Sequence, residues 1–243
     1  MIIELRNKST VFLENYMGKD LSVAKAAWVC TSAPDAENRQ IKDANAVGNV
    51  INYLMKHRHG TPFEHAAMTF VVTAPIFVWR EWHRHRIGQS YNEESARYKT
   101  LEPVFYIPPR DRPIMKVDNW KPGRPKFEVI PPDKDWLYQE IINDMKCGYE
   151  KEYERYLRQL ERGVDPGLAR DNLPVGIFST CYVTCNPRSV MAFLSLRTHD
   201  ITAKFVSYPL YEIEEVALKV EKLFAIRFPL TYKAFVENGR VAP

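Results

Sequence analysis

The stretch FSTCYVTCNPRSVMAFLSLR, residues 178–197, joins a strand pattern directly to a helix start. Residues 178–185 are rich in β-branched and aromatic side chains, which predicts a strand. Asn186 followed by Pro187 is a strong signal for a helix N-terminus, because Asn caps the first turn and Pro suits the first helical position. We therefore predict a strand over 178–185 and a helix that ends near Arg197.

Segments on either side carry the same two kinds of pattern. MTFVVTA at 68–74 predicts a buried strand, and residues 2–5 predict a shorter one. Apolar residues recur at helical spacing in several longer segments, and Ser22 can cap the first of them. We predict helices over residues 22–30, 44–57, 75–86, 134–162, 166–172 and 209–228.

Length and composition indicate a globular protein. The 243 residues suit a single domain over 1–243, and 45% hydrophobic with 26% charged residues exclude wholesale disorder. Residues 100–134 are rich in proline, including Pro108-Pro109 and Pro131-Pro132. We interpret 100–134 as an extended loop excursion or lid, since the motifs on its two sides belong to one site.

Charge, hydropathy and cysteine spacing bear on partners and location. A net charge of +4, with acidic residues interleaved, gives no reason to expect a nucleic-acid partner. The uncharged run His65–Trp79 contains Pro75 and is too short to cross a bilayer of ~30 Å, so we expect no membrane partner. The cysteines lack disulfide-type spacing, which favours a reducing, cytoplasmic location; they are Cys30, Cys147, Cys181 and Cys185.

Five of the six histidines fall between residues 57 and 85, which raises the question of a metal site. The chain has no HExxH motif and no Cys/His quartet with zinc spacing. His57 and His59 end a predicted helix, where a cation favours the last carbonyls. We therefore expect no metal.

Residues 84–98, RHRIGQSYNEESARY, concentrate cations, hydroxyls and carboxylates. Arginines next to hydroxyls and backbone N–H groups can cradle a phosphate. Interleaved carboxylates can bind ribose hydroxyls or ring N–H groups. A charged surface loop has the same composition, and the pattern alone leaves both interpretations open.

RHR followed by a spacer and SxR resembles the signature of flavin-dependent thymidylate synthases. Six further segments resemble that family in the same order: DLSVAKAAWV, YLMKHRHGTPFEH, APIFVWREWHRHR, FYIP, ARDNLP and NPRSVMAFLSLR. The resemblance implies an α+β fold, with a mixed antiparallel sheet flanked by helices. It also implies a homotetramer that binds FAD where subunits meet.

The resemblance further implies an activity and the residues that perform it. The enzyme would convert dUMP to dTMP, with 5,10-methylenetetrahydrofolate as carbon donor and NADPH, through FAD, as reductant. The implied flavin residues are His59, Thr61, Glu64, Arg84, His85, Arg86, Glu93, Asn186 and Arg188. The implied dUMP residues are Glu81, Arg84, Glu93, Glu94, Ser95, Ala96, Arg97, Arg170 and Arg197.

Among these residues, Arg197 is the implied catalytic group, set against the uracil ring, and Arg170 would reach the phosphate from a second subunit. Arg188 and Arg197 lie on one predicted helix, and at ~100° per residue they point to nearly opposite sides. They therefore serve different groups. The alternative for Arg197 is an exposed arginine that neutralises the helix C-terminus.

The chain departs from the family pattern at four positions. The spacer between RHR and the serine is one residue longer than usual, so that Gln89 looks inserted. Glu81 stands where a glutamine is common, Cys30 where a serine can touch FAD, and Ala192 where a polar flavin contact is common. None of the four removes a residue needed for the chemistry.

Two other classes of protein stay open on the residues alone. A non-catalytic nucleotide- or RNA-binding protein would use the arginine cluster and bind no flavin. A metal hydrolase would use the histidines and lose its metal to a chelator. The absorption spectrum of the purified protein separates all three.

Overall fold

The computed structural model of the protein describes residues 3–32, 45–117 and 127–243. The strands, in chain order, are β1 (Glu4–Arg6), β2 (Thr10–Met17), β3 (Ala67–Pro75), β4 (Gln89–Glu93), β5 (Val104–Tyr106), β6 (Met115–Lys116), β7 (Phe127–Glu128) and β8 (Phe178–Cys185). The helices are α1 (Asp20–Ser32), α2 (Ala46–Lys56), α3 (Ile76–Trp82), α4 (Asp135–Glu161), α5 (Pro166–Ala169), α6 (Pro187–Arg197), α7 (Tyr211–Arg227) and α8 (Pro229–Glu237).

The largest sheet has the strand order β2-β3-β8-β4. Two threonine pairs give the direction of β3 relative to β8: Thr69 bonds Thr184 at 3.0 Å, and Thr73 bonds Thr180 at 2.9 Å. Thr73 lies four residues after Thr69, whereas its partner Thr180 lies four residues before Thr184. The two strands are therefore antiparallel. Every second residue of β3 is buried, as expected for a strand with one face on the core.

The chain forms two compact units, each assembled from separate segments. Unit 1 comprises Met1–Ser9, Thr73–Glu81 and Glu93–Cys181. Unit 2 comprises Thr10–Val72, Trp82–Asn92 and Tyr182–Pro243. The single-domain organisation stays a prediction.

In unit 1, β1 pairs in parallel with β5, and Leu5 faces Phe105 in this register. Phe105 stacks on Tyr149 of α4, with ring centroids 4.7 Å apart. The core of this unit also includes Ile3, Ala96, Leu101, Tyr153, Tyr156, Ala169 and Ile177. Burial of these apolar side chains stabilises unit 1, at roughly 25 cal/mol per Å² removed from water.

In unit 2, helices pack mainly on one another. α2 packs against α1 and α8, and α7 packs against α6 and α8. Asp20 at the start of α1 accepts hydrogen bonds from the backbone N–H groups of Leu230 and Thr231, both at 2.9 Å. This buried carboxylate therefore caps α8 from a distant part of the chain.

The predicted β8 and α6 are confirmed at the predicted bounds, and the strand over 68–74 and the long helix over 134–162 are confirmed within a residue or two. The strand predicted over 2–5 is found at Glu4–Arg6. The helix predicted from Ser22 begins instead at Asp20, and Ser22 Oγ accepts a hydrogen bond from the Lys19 N–H at 3.1 Å.

Three predictions were wrong or incomplete. The helix over 75–86 stops at Trp82, and the helix over 209–228 is followed by α8, which the sequence did not predict. The proline-rich segment 100–134 is not simply a loop, because Val104–Tyr106 forms β5 and buries Phe105. β6 and β7 also pair within 100–134, whereas residues 118–126 lie outside the described residues.

Candidate active site

Helix α6 organises the site in unit 2. The Asn186 side chain accepts a hydrogen bond from the Ser189 N–H at 2.8 Å, which confirms the predicted cap. Arg188 lies in the first turn of α6 and Arg197 is its last residue. The two arginines have different partners, as their positions on the helix predict.

Arg188 joins the start of α6 to the turn Thr61–Glu64. Its Nη1 donates to Glu64 Oε1 at 2.6 Å and its Nε donates to the Pro243 carbonyl at 2.7 Å. A Cβ on Gly60 would overlap the Arg188 guanidinium, so this arginine packs directly over the glycine. Two residues implied to bind flavin, Glu64 and Arg188, are thus brought together. His59 and Thr61 lie exposed in the same segment.

The turn after the RHR triplet also contacts the start of α6. Ser189 Oγ donates to the Ile87 carbonyl at 2.8 Å. Gly88 has a φ of +64°, and a Cβ there would overlap Ser189 Oγ and lie 2.8 Å from Asn186 Nδ2. Sequence reasoning missed Ser189 and Gly88, although the glycine directly after RHR-Ile was the available signal.

His85 and Arg197 form a side-chain pair. Arg197 Nε donates to His85 Nε2 at 3.0 Å, and the His85 ring lies edge-on to Phe193 with centroids 5.1 Å apart. Burial, reinforced by the Arg197 charge, lowers the pKa of His85 to about 4. The imidazole is therefore neutral at neutral pH and can accept the arginine hydrogen bond.

The other two members of the triplet, Arg84 and Arg86, are exposed. The His85 N–H bonds the Trp82 carbonyl at 2.8 Å, which closes a turn immediately after α3. This turn replaces the predicted helix end and directs His85 toward Arg197. The triplet therefore supplies one half-buried acceptor, His85, and two exposed cations, Arg84 and Arg86.

The loop Glu93–Arg97 belongs to unit 1, and its side chains differ in their contacts. Glu94 accepts from the Thr180 N–H and pairs with Lys99, both at 2.8 Å, so this carboxylate anchors the loop. The Ala96 side chain is buried in the unit 1 core, which leaves its backbone for a ligand. Glu81 at the end of α3 and Glu93 at the end of β4 are half-buried.

Ser95, Arg97 and Arg170 are the remaining implied phosphate residues. Ser95 Oγ accepts from the Arg97 N–H at 3.3 Å, which shapes the turn before the arginine. Arg170 Nε donates to the Gly167 carbonyl at 3.2 Å, and Arg97 Cγ lies 3.6 Å from the position of a Cβ on Gly167. Two exposed arginines of one chain therefore adjoin the same glycine.

The cysteines fall into two classes. Cys181 and Cys185 are buried on one face of β8, and burial raises the pKa of Cys185 to about 12. Cys30 and Cys147 are exposed, although the apolar helical pattern around each of them predicts burial. Their positions on the outer faces of α1 and α4 account for the difference.

Residues 3–32, 45–117 and 127–243 contain no group of three or more His, Cys, Asp or Glu side chains arranged to hold a metal ion. No helix in this part of the chain is long and apolar enough to cross a membrane.

Comparison with known proteins gives a consistent result. A family model described as thymidylate synthase complementing protein matches residues 12–230. A flavin-dependent thymidylate synthase of Streptomyces avermitilis is 46% identical over 238 residues, which cover 98% of this chain and 95% of the relative. One from Tropheryma whipplei is 43% identical, covering 96% and 95%.

A solved structure agrees with the sequence relatives. The UMP/dUMP methylase PolB from Streptomyces cacaoi, bound with 5-Br dUMP, has a TM-score of 0.90 and 43% identity, covering 99% of this chain and 100% of that one. Similarity of this extent identifies the class of enzyme, a thymidylate synthase. The chain belongs to the flavin-dependent thymidylate synthase family. The expected α+β fold is thereby confirmed.

Proposed function

We propose that this enzyme converts dUMP to dTMP, with FAD as flavin, NADPH as reductant and 5,10-methylenetetrahydrofolate as carbon donor. The single observation that carries the proposal is the His85–Arg197 pair, because it places an oriented, permanently charged group at the end of α6. Relatives at 43–46% identity bear the name of this activity.

The residues of unit 2 fit a flavin dinucleotide. Its pyrophosphate needs cationic donors, and the exposed Arg84 and Arg86 together with Arg188 provide them. When bound, the flavin supplies hydride transfer, which no side chain of the chain can supply.

Arg197 is assigned to the uracil ring. Carbon 5 of uracil is a poor nucleophile until electron density moves into the ring, so negative charge develops on the pyrimidine. A guanidinium that stays protonated at every working pH stabilises that charge. Because Nε is bonded to His85, the guanidinium is oriented before substrate binds, which is the condition for effective electrostatic catalysis.

Ser95, Arg97 and Arg170 are assigned to the dUMP phosphate. Arg97 and Arg170 are exposed, and each can form a charge-assisted hydrogen bond to an anion. Glu94 is occupied by Thr180 and Lys99, so we assign it to loop support and not to the nucleotide. We keep Glu93 as a residue that contacts FAD and dUMP, and Glu81 as a residue that contacts dUMP.

Assembly and location complete the proposal. We assign a homotetramer with sites completed across subunits, as the resemblance implies. The four free cysteines, two of them exposed, suit a reducing cytoplasm. The enzyme needs no nucleic-acid or membrane partner.

The test is a spectrum followed by an assay on one preparation. We expect a yellow protein that releases FAD on denaturation and forms dTMP only when dUMP, NADPH and 5,10-methylenetetrahydrofolate are all present. Omitting each component in turn is the control. A colourless protein that takes up no added FAD, or one that binds RNA with strong salt dependence and makes no dTMP, would contradict the proposal.

A further inference from the structure

Gln89, the first residue of β4, accepts two side-chain hydrogen bonds with one atom. Its Oε1 accepts from Trp82 Nε1 at 2.9 Å and from the Tyr91 hydroxyl at 2.8 Å. An amide oxygen has two lone pairs, so both bonds can form. The Trp82 side chain is only 1% exposed, and an indole N–H at that depth requires an acceptor inside the protein.

The two donors, Trp82 and Tyr91, are both linked to His85 by further contacts. The Trp82 ring stacks on Phe193 with centroids 4.4 Å apart, and the same Phe193 ring meets the His85 ring at 5.1 Å. The Tyr91 hydroxyl also bonds the His85 backbone carbonyl. The hydroxyl has one proton and donates to one acceptor at a time, so Gln89 and the His85 carbonyl compete for it, and the link from Gln89 to His85 runs through Trp82.

His85 in turn determines how Arg197 is oriented, because its Nε2 accepts the Arg197 Nε–H. We propose that Gln89 is a positioning residue for Arg197: it fixes Trp82, whose ring packs on Phe193 and through it holds His85 as the acceptor of the arginine. Gln89 touches neither Arg197 nor the substrate in this role. The effect on turnover rests on the proposed function, whereas the effect on Arg197 does not.

Two substitutions of similar size separate the acceptor from simple packing. Gln89→Leu removes the oxygen that accepts from the indole N–H, while Gln89→Glu keeps an oxygen in the same place. Thr184→Val is the matched control, since it removes one side-chain hydrogen bond, to Thr69, from the same sheet. It should affect stability without affecting Arg197.

We expect Gln89→Leu to lower kcat for dTMP by about tenfold, the scale of one hydrogen bond, with KM for dUMP nearly unchanged. Gln89→Glu and Thr184→Val should retain kcat. An effect on kcat alone is the signature of an interaction that matters in the transition state. Equal losses in the Leu and Glu variants would overturn the proposal, because the acceptor would then be irrelevant.

The second readout needs no activity. Selective ¹⁵N-arginine labelling resolves the Arg197 Nε–H, identified by its absence in Arg197→Ala. Its exchange with solvent should be slow in the parent and in Gln89→Glu, and about tenfold faster in Gln89→Leu. Unchanged protection in the Leu variant would refute the positioning role even if turnover falls.

A third variant covers the case in which Gln89→Leu does not fold. Gln89→Met also removes the amide oxygen that accepts from Trp82, with an unbranched side chain of similar length. It should also speed exchange of the Arg197 Nε–H, and unchanged exchange would refute the coupling. A parent protein that makes no dTMP but shows these exchange effects would overturn the proposed function and leave the positioning of Arg197 intact.

Discussion

The arginines of the two units are held in different ways. Arg197 in unit 2 is half-buried, and its guanidinium is bonded to an imidazole that is neutral at neutral pH. Arg97 and Arg170 in unit 1 are exposed; the Arg97 guanidinium lies over the Tyr98 ring, and Arg170 Nε donates to the Gly167 carbonyl. A group that stabilises a transition state must be oriented in advance, whereas a group that binds a phosphate can be ordered by the ligand. The contrast supports our proposal that Arg197 takes part in the chemistry and that Arg97 and Arg170 bind the phosphate.

The largest expected effect is that of Arg197→Ala. We expect dTMP formation to fall by at least ~100-fold, the usual scale for one preorganised electrostatic donor, with fold and flavin content retained. Flavin reduction by NADPH and dTMP yield, measured on one preparation, check this.

Arg197→Lys is the control for charge alone. Lysine keeps the charge but lacks the planar fork and the Nε–H that His85 accepts, so it should rescue poorly. Near-normal turnover in the Ala variant would return Arg197 to the role of a helix cap, worth at most ~1 kcal/mol of stability.

The next effect concerns Arg97 and Arg170. Each change to Ala should raise KM for dUMP by about 10- to 100-fold, because a hydrogen bond to a charged group contributes roughly 1.5–3 kcal/mol. The value of kcat should change much less than in Arg197→Ala. Initial rates over a range of dUMP concentrations separate the two parameters.

Mixing the Arg97→Ala and Arg170→Ala variants, assayed at a dUMP concentration far below their KM, determines which chain supplies each arginine. If the arginines of one site come from different subunits, as the resemblance implies, mixed assemblies should regain partial activity at low dUMP. The position of both arginines beside Gly167 of one chain offers the alternative of a shared site within the chain. No recovery after verified subunit exchange would favour that alternative.

A smaller effect is expected from acidification. The pKa of His85 in the folded protein, about 4, lies below its ordinary value of 6.5, so the unfolded chain binds the proton first as pH falls. His85 therefore contributes a loss of stability between pH 6.5 and about 4, and none above pH 6.5.

His85→Gln isolates this contribution, because glutamine does not titrate and offers an acceptor to Arg197. Denaturant midpoints measured from pH 7 to pH 4 should fall more steeply for the parent than for the variant. Parallel slopes would mean that His85 is not held neutral, and the comparison between the units would lose its basis.

The sequence predicted elements whose signals are local. Asn186 and Pro187 alone are enough to predict the start of α6, and the predicted bounds of that helix were correct. α8 was missed because its cap is Asp20, more than two hundred residues away, while the preceding Phe228 provides no side-chain cap. β4 was taken for part of a phosphate loop, since QSYNE is polar and becomes a strand only by pairing with β8.

The candidate site shows the same limit. The motifs named the residues of the RHR triplet, but the predicted helix over 75–86 placed them wrongly. The turn that follows them is held by Ser189, whose side chain donates a hydrogen bond to the Ile87 carbonyl. The two residues are 102 positions apart in the sequence. Gln89 stands out in the sequence as an extra residue relative to the family spacer. Its contacts to Trp82 and Tyr91, however, depend on β4, a strand that no local pattern predicted.

The smallest expected effect is that of the cysteines on turnover. A thymidylate synthase can also activate uracil by adding a cysteine thiolate to carbon 6, and that route would make an oriented Arg197 secondary. Burial raises the pKa of Cys185 to about 12, so its thiol is neutral and inert at working pH, and Cys181 is equally buried. The exposed Cys30 and Cys147 are the thiols that need a direct test.

Cys30→Ser and Cys147→Ser should leave kcat within about twofold and stability within about 0.5 kcal/mol, as for ordinary surface changes. Cys181→Ala and Cys185→Ala should lower the free energy of unfolding by about 1 kcal/mol or more while dTMP formation continues. Turnover of flavin-loaded variants, with mass spectrometry of the parent after incubation with 5-fluoro-dUMP, measures this. A nucleotide trapped on any cysteine would move the chemistry away from Arg197.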